Sequence, residues 1–215
     1  MAESYEEVRM LKTEALARQY VLIVDRSGSM ASQDNNGTRW TSAGAAVVKL
    51  VETVFRYDID HSVPLYLFDH EVTFVGECTN VSQITQVFQQ YSPRGTTDLA
   101  LALSTAMDTY AGTKRPNYDC VPGTTFLVIL DGAADNEEEV VRVLQKFADP
   151  ANGYVANHTQ VAVSFIQIGG DTNATRFLTR LDNDLKPLDI VDTKKDDFLY
   201  TTGGIDQLLH DAIFD

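Results

Sequence analysis

The strongest constraint on this chain is a pattern that occurs twice. Tyr20-Val-Leu-Ile-Val24 is an apolar, β-branched run that ends at Asp25. Thr124-Thr-Phe-Leu-Val-Ile-Leu130 is a mostly apolar run that ends at Asp131. Runs without polar alternation are buried on both faces, as central strands of a parallel sheet are. Parallel strands need long crossovers, usually helices. The intervening segments supply them. Ala43, Val47, Val48, Val51, Val54 and Phe55 recur at helical spacing, as do Leu99, Leu103, Ala106, Met107 and Tyr110.

Further helices are expected over 81–91, 137–147, 172–184 and 205–214. Three glutamates open the 137–147 segment, where they suit the helix dipole. Further strands are expected over 63–68, 71–75, 160–168 and, briefly, 189–191, with 71–75 turning back on 63–68 as a hairpin. Residues 26–39 are rich in Ser, Gly, Asn and Asp and read as a loop. Trp40 is expected to anchor its helix against the sheet. The alternation predicts an α/β, Rossmann-like, doubly wound sandwich: a mostly parallel sheet between helices, with one antiparallel edge strand. No linker or repeat divides it. One domain is expected over 18–215, with residues 1–17 a polar lead-in.

Charge narrows the partners. The 215 residues carry 31 acidic and 17 basic side chains, a formal net charge of −14. Polyanions take their affinity from clustered Lys and Arg, so neither nucleic acid nor an anionic membrane surface is an expected partner. No apolar run reaches the roughly 20 residues of a spanning helix. The acidic start, Met1-Ala-Glu-Ser-Tyr-Glu-Glu, is unlike a signal peptide. Cys78 and Cys120 are therefore expected to be unpaired thiols in a cytoplasmic protein. The Asn-x-Ser/Thr triplets at Asn36, Asn80, Asn157 and Asn173 then read as chance.

Sites in open α/β sheets form beyond the carboxyl ends of the strands. If the strands ending at Asp25 and Asp131 are neighbours, two carboxylates meet there. The first continues as Asp25-Arg26-Ser27-Gly28-Ser29, which sets one carboxylate and two hydroxyls on alternate positions. The loop Gly95-Thr96-Thr97-Asp98 can add a threonine hydroxyl. An all-oxygen donor set suits a hard cation such as Mg²⁺, with Mn²⁺ or Ca²⁺ as alternatives.

At these residues the chain resembles the von Willebrand factor type A (VWA) family. Asp25-x-Ser27-x-Ser29 resembles that family's metal-ion-dependent adhesion site. Gly95-Thr96-Thr97-Asp98-Leu99 resembles its Gly-Gly-Thr-x-Leu segment, Leu130-Asp131-Gly132 its Thr-Asp-Gly element, and Gly169-Gly170-Asp171 its last strand-to-helix junction. The resemblance runs over about residues 18–214. It implies a six-stranded sheet in the order 3-2-1-4-5-6. It also implies a divalent cation on Asp25, Ser27, Ser29, Thr97 and Asp131, and a protein partner that donates an Asp or Glu carboxylate. The acidity of the chain adds a condition: that carboxylate should sit among basic residues. Family members without signal peptides commonly work in multiprotein assemblies. Asp98 and Leu130 depart from the family pattern.

Plainer readings stand beside this one. Asp25, Ser27 and Ser29 are turn formers. Thr97 fits a helix N-cap, and Asp131 with Gly132 fits a strand-end turn. Asp34, Asp69, Glu71, Asp98 and Asp135 read as solvated rim charges, and the four histidines have no expected role. Two other functions compete with a non-catalytic interaction module: a Mg²⁺-dependent phosphatase or hydrolase, and a domain whose metal is purely structural.

Overall fold

The computed structural model describes residues 15–34, 37–114 and 123–214. Six strands form one sheet: β1 (Gln19–Asp25), β2 (Val63–Phe68), β3 (Val72–Cys78), β4 (Thr124–Leu130), β5 (Val161–Gln167) and β6 (Val191–Lys195). Their order is β3-β2-β1-β4-β5-β6. All neighbours are parallel except the β2–β3 hairpin, which is antiparallel with an irregularity between Leu65 and Tyr66. This is the expected Rossmann-like, mostly parallel architecture with an antiparallel edge.

Among the described residues, six helices of two turns or more cover the sheet: α1 (Arg39–Tyr57), α2 (Val81–Gln90), α3 (Leu99–Lys114), α4 (Glu137–Ala148), α5 (Thr172–Asp184) and α6 (Gly204–Phe214). Every residue of β4 and β5 is buried. The reason is layering. Leu22, Val24, Leu127 and Ile129 face Leu50 and Val54 of α1, Ile84 of α2 and Leu208 of α6. Ile23, Phe126, Val128 and Phe165 face Leu103 of α3, Leu144 of α4 and Phe177 of α5. Each fully buried aliphatic or aromatic side chain contributes about 1.5–3 kcal/mol, so both apolar faces are needed.

The helices start at side-chain caps. Thr38, Asn80, Asn136 and Asp171 accept from the backbone of their own first turns. Glu137, Glu138 and Glu139 do open α4.

Two expectations change. Residues 26–39 are not a plain loop: they hold a 3₁₀ turn (Gly28–Ala31) and a two-stranded ribbon that pairs Gln33 with Thr38. The last strand is β6, starting where the short run 189–191 was expected to end. Its polar stretch is satisfied by Lys194, which pairs with Asp192 at 2.7 Å and Asp211 at 3.1 Å. Trp40 is buried in the core shared with the sheet, as expected, and also ties α1 to α2: its Nε1 donates to the Phe88 carbonyl at 3.1 Å, and the two rings lie 4.6 Å apart. Cys78 is a free, buried thiol; Cys120 and most of the lead-in 1–17 lie outside the described residues.

Candidate functional site

The strand order reverses between β1 and β4, and their carboxyl ends lie side by side: Val24 pairs with Ile129. Asp25 and Asp131 therefore meet in the crevice outside those ends. Both are fully buried. A chain of hydrogen bonds joins them. The Ser27 N–H donates to Asp25 Oδ1 at 2.7 Å. Ser27 Oγ and Ser29 Oγ are 2.9 Å apart. Ser29 Oγ donates to Asp131 Oδ1 at 2.7 Å. The 3₁₀ turn that follows Ser27 makes this possible, pinned by the fully buried Met30.

Asp25 Oδ2 is buried and has no hydrogen-bond partner. Burial, opposed by the Ser27 hydrogen bonds and reinforced by the nearby Asp131 charge, pushes the Asp25 carboxyl up to about 7. An orphaned carboxylate oxygen beside a second buried carboxylate needs an explanation. Oxygen donors around it suit a hard divalent cation, and this set fits one.

Thr97 reaches the same rim by its backbone. Its N–H donates to Asp135 Oδ2 at 2.9 Å, and its carbonyl accepts from the Asp135 N–H at 3.1 Å. The loop before it is stitched to the first: Gly28 N–H donates to the Gly95 carbonyl at 3.0 Å, and Arg94 N–H to the Arg26 carbonyl at 2.7 Å. Gly95 has φ +70°, and a Cβ there would stand 2.3 Å from His70 Nδ1. Glycine is required on both counts. The capping role falls to the next residue, Asp98, whose Oδ1 accepts from the Leu101 N–H at 3.0 Å. The Thr97 hydroxyl makes no hydrogen bond to the Asp25–Asp131 chain.

The rim charges are not all rim charges. Asp69, one residue past β2, is fully buried. Arg26 Nε and Arg94 Nε each lie 2.9 Å from its Oδ2. His70 Nδ1 lies 3.1 Å from Oδ1, which also accepts from the Glu71 N–H at 2.9 Å. Burial alone would raise the Asp69 carboxyl, but the Arg94 and Glu71 hydrogen bonds and the two guanidinium charges hold it below the usual range. Asp135 is exposed, as expected of a rim charge, and it also clamps Thr97. Asp69, His70 and Glu71 offer ligand atoms within 4.8 Å of one another. Two arginines already fill that position, and His70 is the one histidine near the site.

Sequence reasoning also missed Arg39. Its Nη1 donates to Asp131 Oδ2 at 2.8 Å. Ninety-two positions separate the pair, so no local pattern announces it.

Residues 20–122 match the model of the von Willebrand factor type A domain. With the sheet order and the strand-end site in place, that match is decisive. The chain carries a VWA domain. Solved structures of similar fold include the SpRpn10 VWA domain, with TM-score 0.58, 11% identity and coverage of 90% of this chain and 94% of that one. Another is BatB from Bacteroides thetaiotaomicron, with TM-score 0.53, 14% identity and coverage of 91% and 97%. A third is the manganese-loaded TRAP protein of Plasmodium vivax, with TM-score 0.54, 15% identity and coverage of 85% and 70%. At such identities the likeness is one of fold. No curated protein matches the chain by sequence. Among the described residues, no helix of the domain is long and apolar enough to cross a membrane.

Proposed function

We propose that this VWA domain is a non-catalytic, metal-dependent protein-interaction module. The observation that carries the reading is the buried, unpartnered Asp25 Oδ2 beside a second buried carboxylate. Asp25, Ser27, Ser29, Thr97 and Asp131 would hold a Mg²⁺-type cation, with Mn²⁺ or Ca²⁺ as alternatives. The manganese-loaded TRAP neighbour supports a divalent ion. When bound, the cation supplies an electrophilic position for an outside carboxylate oxygen.

The chain's own residues prepare that position. Asp25 and Asp131 provide the negative charge, and the two serine hydroxyls provide neutral donors. The Asp135 clamp presents Thr97 from the facing loop. Among the described residues, no imidazole or thiolate bonds to the two hydroxyls, which favours binding over nucleophilic chemistry. The partner is a protein that donates an Asp or Glu set among basic residues, because a chain at −14 repels a purely acidic surface. We place the module, 18–215 with its lead-in 1–17, within a cytoplasmic multiprotein assembly; the free Cys78 thiol suits a reducing compartment.

Calorimetry tests the core of this reading. The folded domain should bind Mg²⁺ or Mn²⁺ at one site, and Asp25→Ala should abolish it. A folded parent that binds neither ion overturns the proposal.

A further inference from the structure

Arg39 stands where a metal site should least tolerate a cation. It is the first residue of α1, where the helix dipole disfavours positive charge. It is only about one-fifth exposed, with its side chain at 22%. Its backbone is fixed by the Ser32 carbonyl, which accepts the Arg39 N–H at 2.9 Å. Its side chain runs past Gly169, where a Cβ would come within 3.4 Å of Arg39 Nε. It ends on Asp131 Oδ2 at 2.8 Å. The unfavourable start of the helix is thus offset by one buried carboxylate, an expected ligand of the metal.

A guanidinium has five N–H donors, and the Asp131 bond uses one nitrogen. Arg39 also lines a crevice of about 500 Å³ next to the site, with Asp34, Gly169, Lys195, Asp196 and Asp197 among its walls. Two carboxylates alone would balance a divalent cation. With Arg39 in place, the loaded site carries one positive charge in surplus. An anion entering beside the cation would remove that surplus. The acidic walls beyond, Asp34, Asp196 and Asp197, face whatever flanks that anion and favour basic neighbours.

We infer that Arg39 is a specificity-determining residue of the metal site: its charge, fixed on Asp131, makes cation and carboxylate bind together rather than the cation alone. The inference rests on the metal-dependent reading above and adds a residue and a coupling to it. Because coupling is reciprocal, acetate should strengthen the cation as much as the cation strengthens acetate.

The test is a Mn²⁺ titration of the full chain by calorimetry, in chloride and in acetate at equal ionic strength. Acetate is the probe for a partner carboxylate. The parent should bind Mn²⁺ several-fold more tightly in acetate. Arg39→Gln should bind Mn²⁺ in chloride more tightly than the parent, on the order of ten-fold, and should lose most of the acetate gain. Arg39→Lys keeps the charge and should behave like the parent. An Arg39→Gln protein with parental Mn²⁺ affinity and an undiminished acetate gain overturns the inference and leaves the metal site standing. An Arg39→Lys protein that behaves like the glutamine variant overturns it too, because charge would then not be the cause. A folded parent that binds no Mn²⁺ in either medium removes the metal-site reading itself, and this inference with it.

Discussion

Asp25 and Asp69 are two buried aspartates at the ends of adjacent strands, and the chain treats them in opposite ways. Asp69 receives two arginines, a histidine and a backbone N–H. Asp25 receives one backbone N–H on one oxygen and nothing on the other. Their carboxyls shift accordingly, Asp69 below the ordinary range and Asp25 up to about 7. Arg26 explains much of the contrast. It immediately follows Asp25, and its guanidinium lies on Asp69. A carboxylate that the protein satisfies from its own residues is structural. Asp25, with its orphan oxygen in the strand-end crevice beside Asp131, is open to something from outside. The same test sets aside the Asp69-His70-Glu71 cluster as a cation site, since its charge is already neutralised.

Removing each carboxylate should therefore have opposite consequences. Asp69→Ala leaves Arg26, only 6% exposed, without its counter-charge. Truncating one partner of a buried pair typically costs about 3–5 kcal/mol. Arg94 is half exposed and can turn to Glu71, 2.8 Å away, so the lower end is expected. Urea unfolding should show this loss with Mn²⁺ titration still measurable in the folded fraction. A loss under about 1 kcal/mol would mean that the network is not structural and the contrast with Asp25 is false.

Asp25→Asn should instead stabilise the metal-free protein at pH 8 while ending cation binding. Folding raises the Asp25 pKa from 3.8 to about 7, so the native state keeps a proton that the unfolded chain has released. Stability from that proton is full below about pH 4 and is lost as pH rises to about 7. At about 1.4 kcal/mol per unit the loss is at most about 4 kcal/mol. The new amide places unpaired N–H donors where the orphan oxygen was, which returns about 1–3 kcal/mol. A net gain of about 1–2 kcal/mol is expected at pH 8. Asp58, raised to about 6, slopes the same way in both proteins and cancels in their difference. Parallel stability–pH curves for parent and Asp25→Asn would show that Asp25 titrates normally and that its burial costs nothing.

What could be read from the sequence follows from how local each cause is. β1 and β4 were legible because two covered faces leave no polar alternation, and each carries its aspartate at its own end. The turn through Ser27 and Ser29 was legible for the same reason: the spacing is its own geometry. β6 was misplaced because Asp192, Lys194 and Lys195 look like loop residues until Asp211 of α6 comes into view. Asp69 passed for a solvated turn residue because its satisfaction arrives from Arg26 and Arg94, on two other loops. Arg39 and Asp131 meet only through the fold.

The smallest effects lie in the loop between the two aspartates, where adjacent residues divide the work. Asp98 N–H donates to the Asp69 carbonyl at 2.9 Å, and its side chain caps α3. Thr97 is held from behind by Asp135, which leaves its hydroxyl outside the cap. The two positions should therefore separate stability from binding. Asp98→Ala removes a cap and should cost about 1 kcal/mol, with Mn²⁺ affinity close to parental. Thr97→Val keeps the shape and both backbone bonds, loses one neutral donor, and should change stability by less than about 0.5 kcal/mol. Its Mn²⁺ affinity should fall by roughly ten-fold, one charge–dipole interaction at about 1.4 kcal/mol. Thermal melts and Mn²⁺ titrations of the two variants measure both quantities side by side. If Thr97→Val destabilises the fold and leaves Mn²⁺ binding intact, Thr97 belongs with Asp69 among the groups the chain keeps for itself, and the ligand set shrinks to Asp25, Ser27, Ser29 and Asp131.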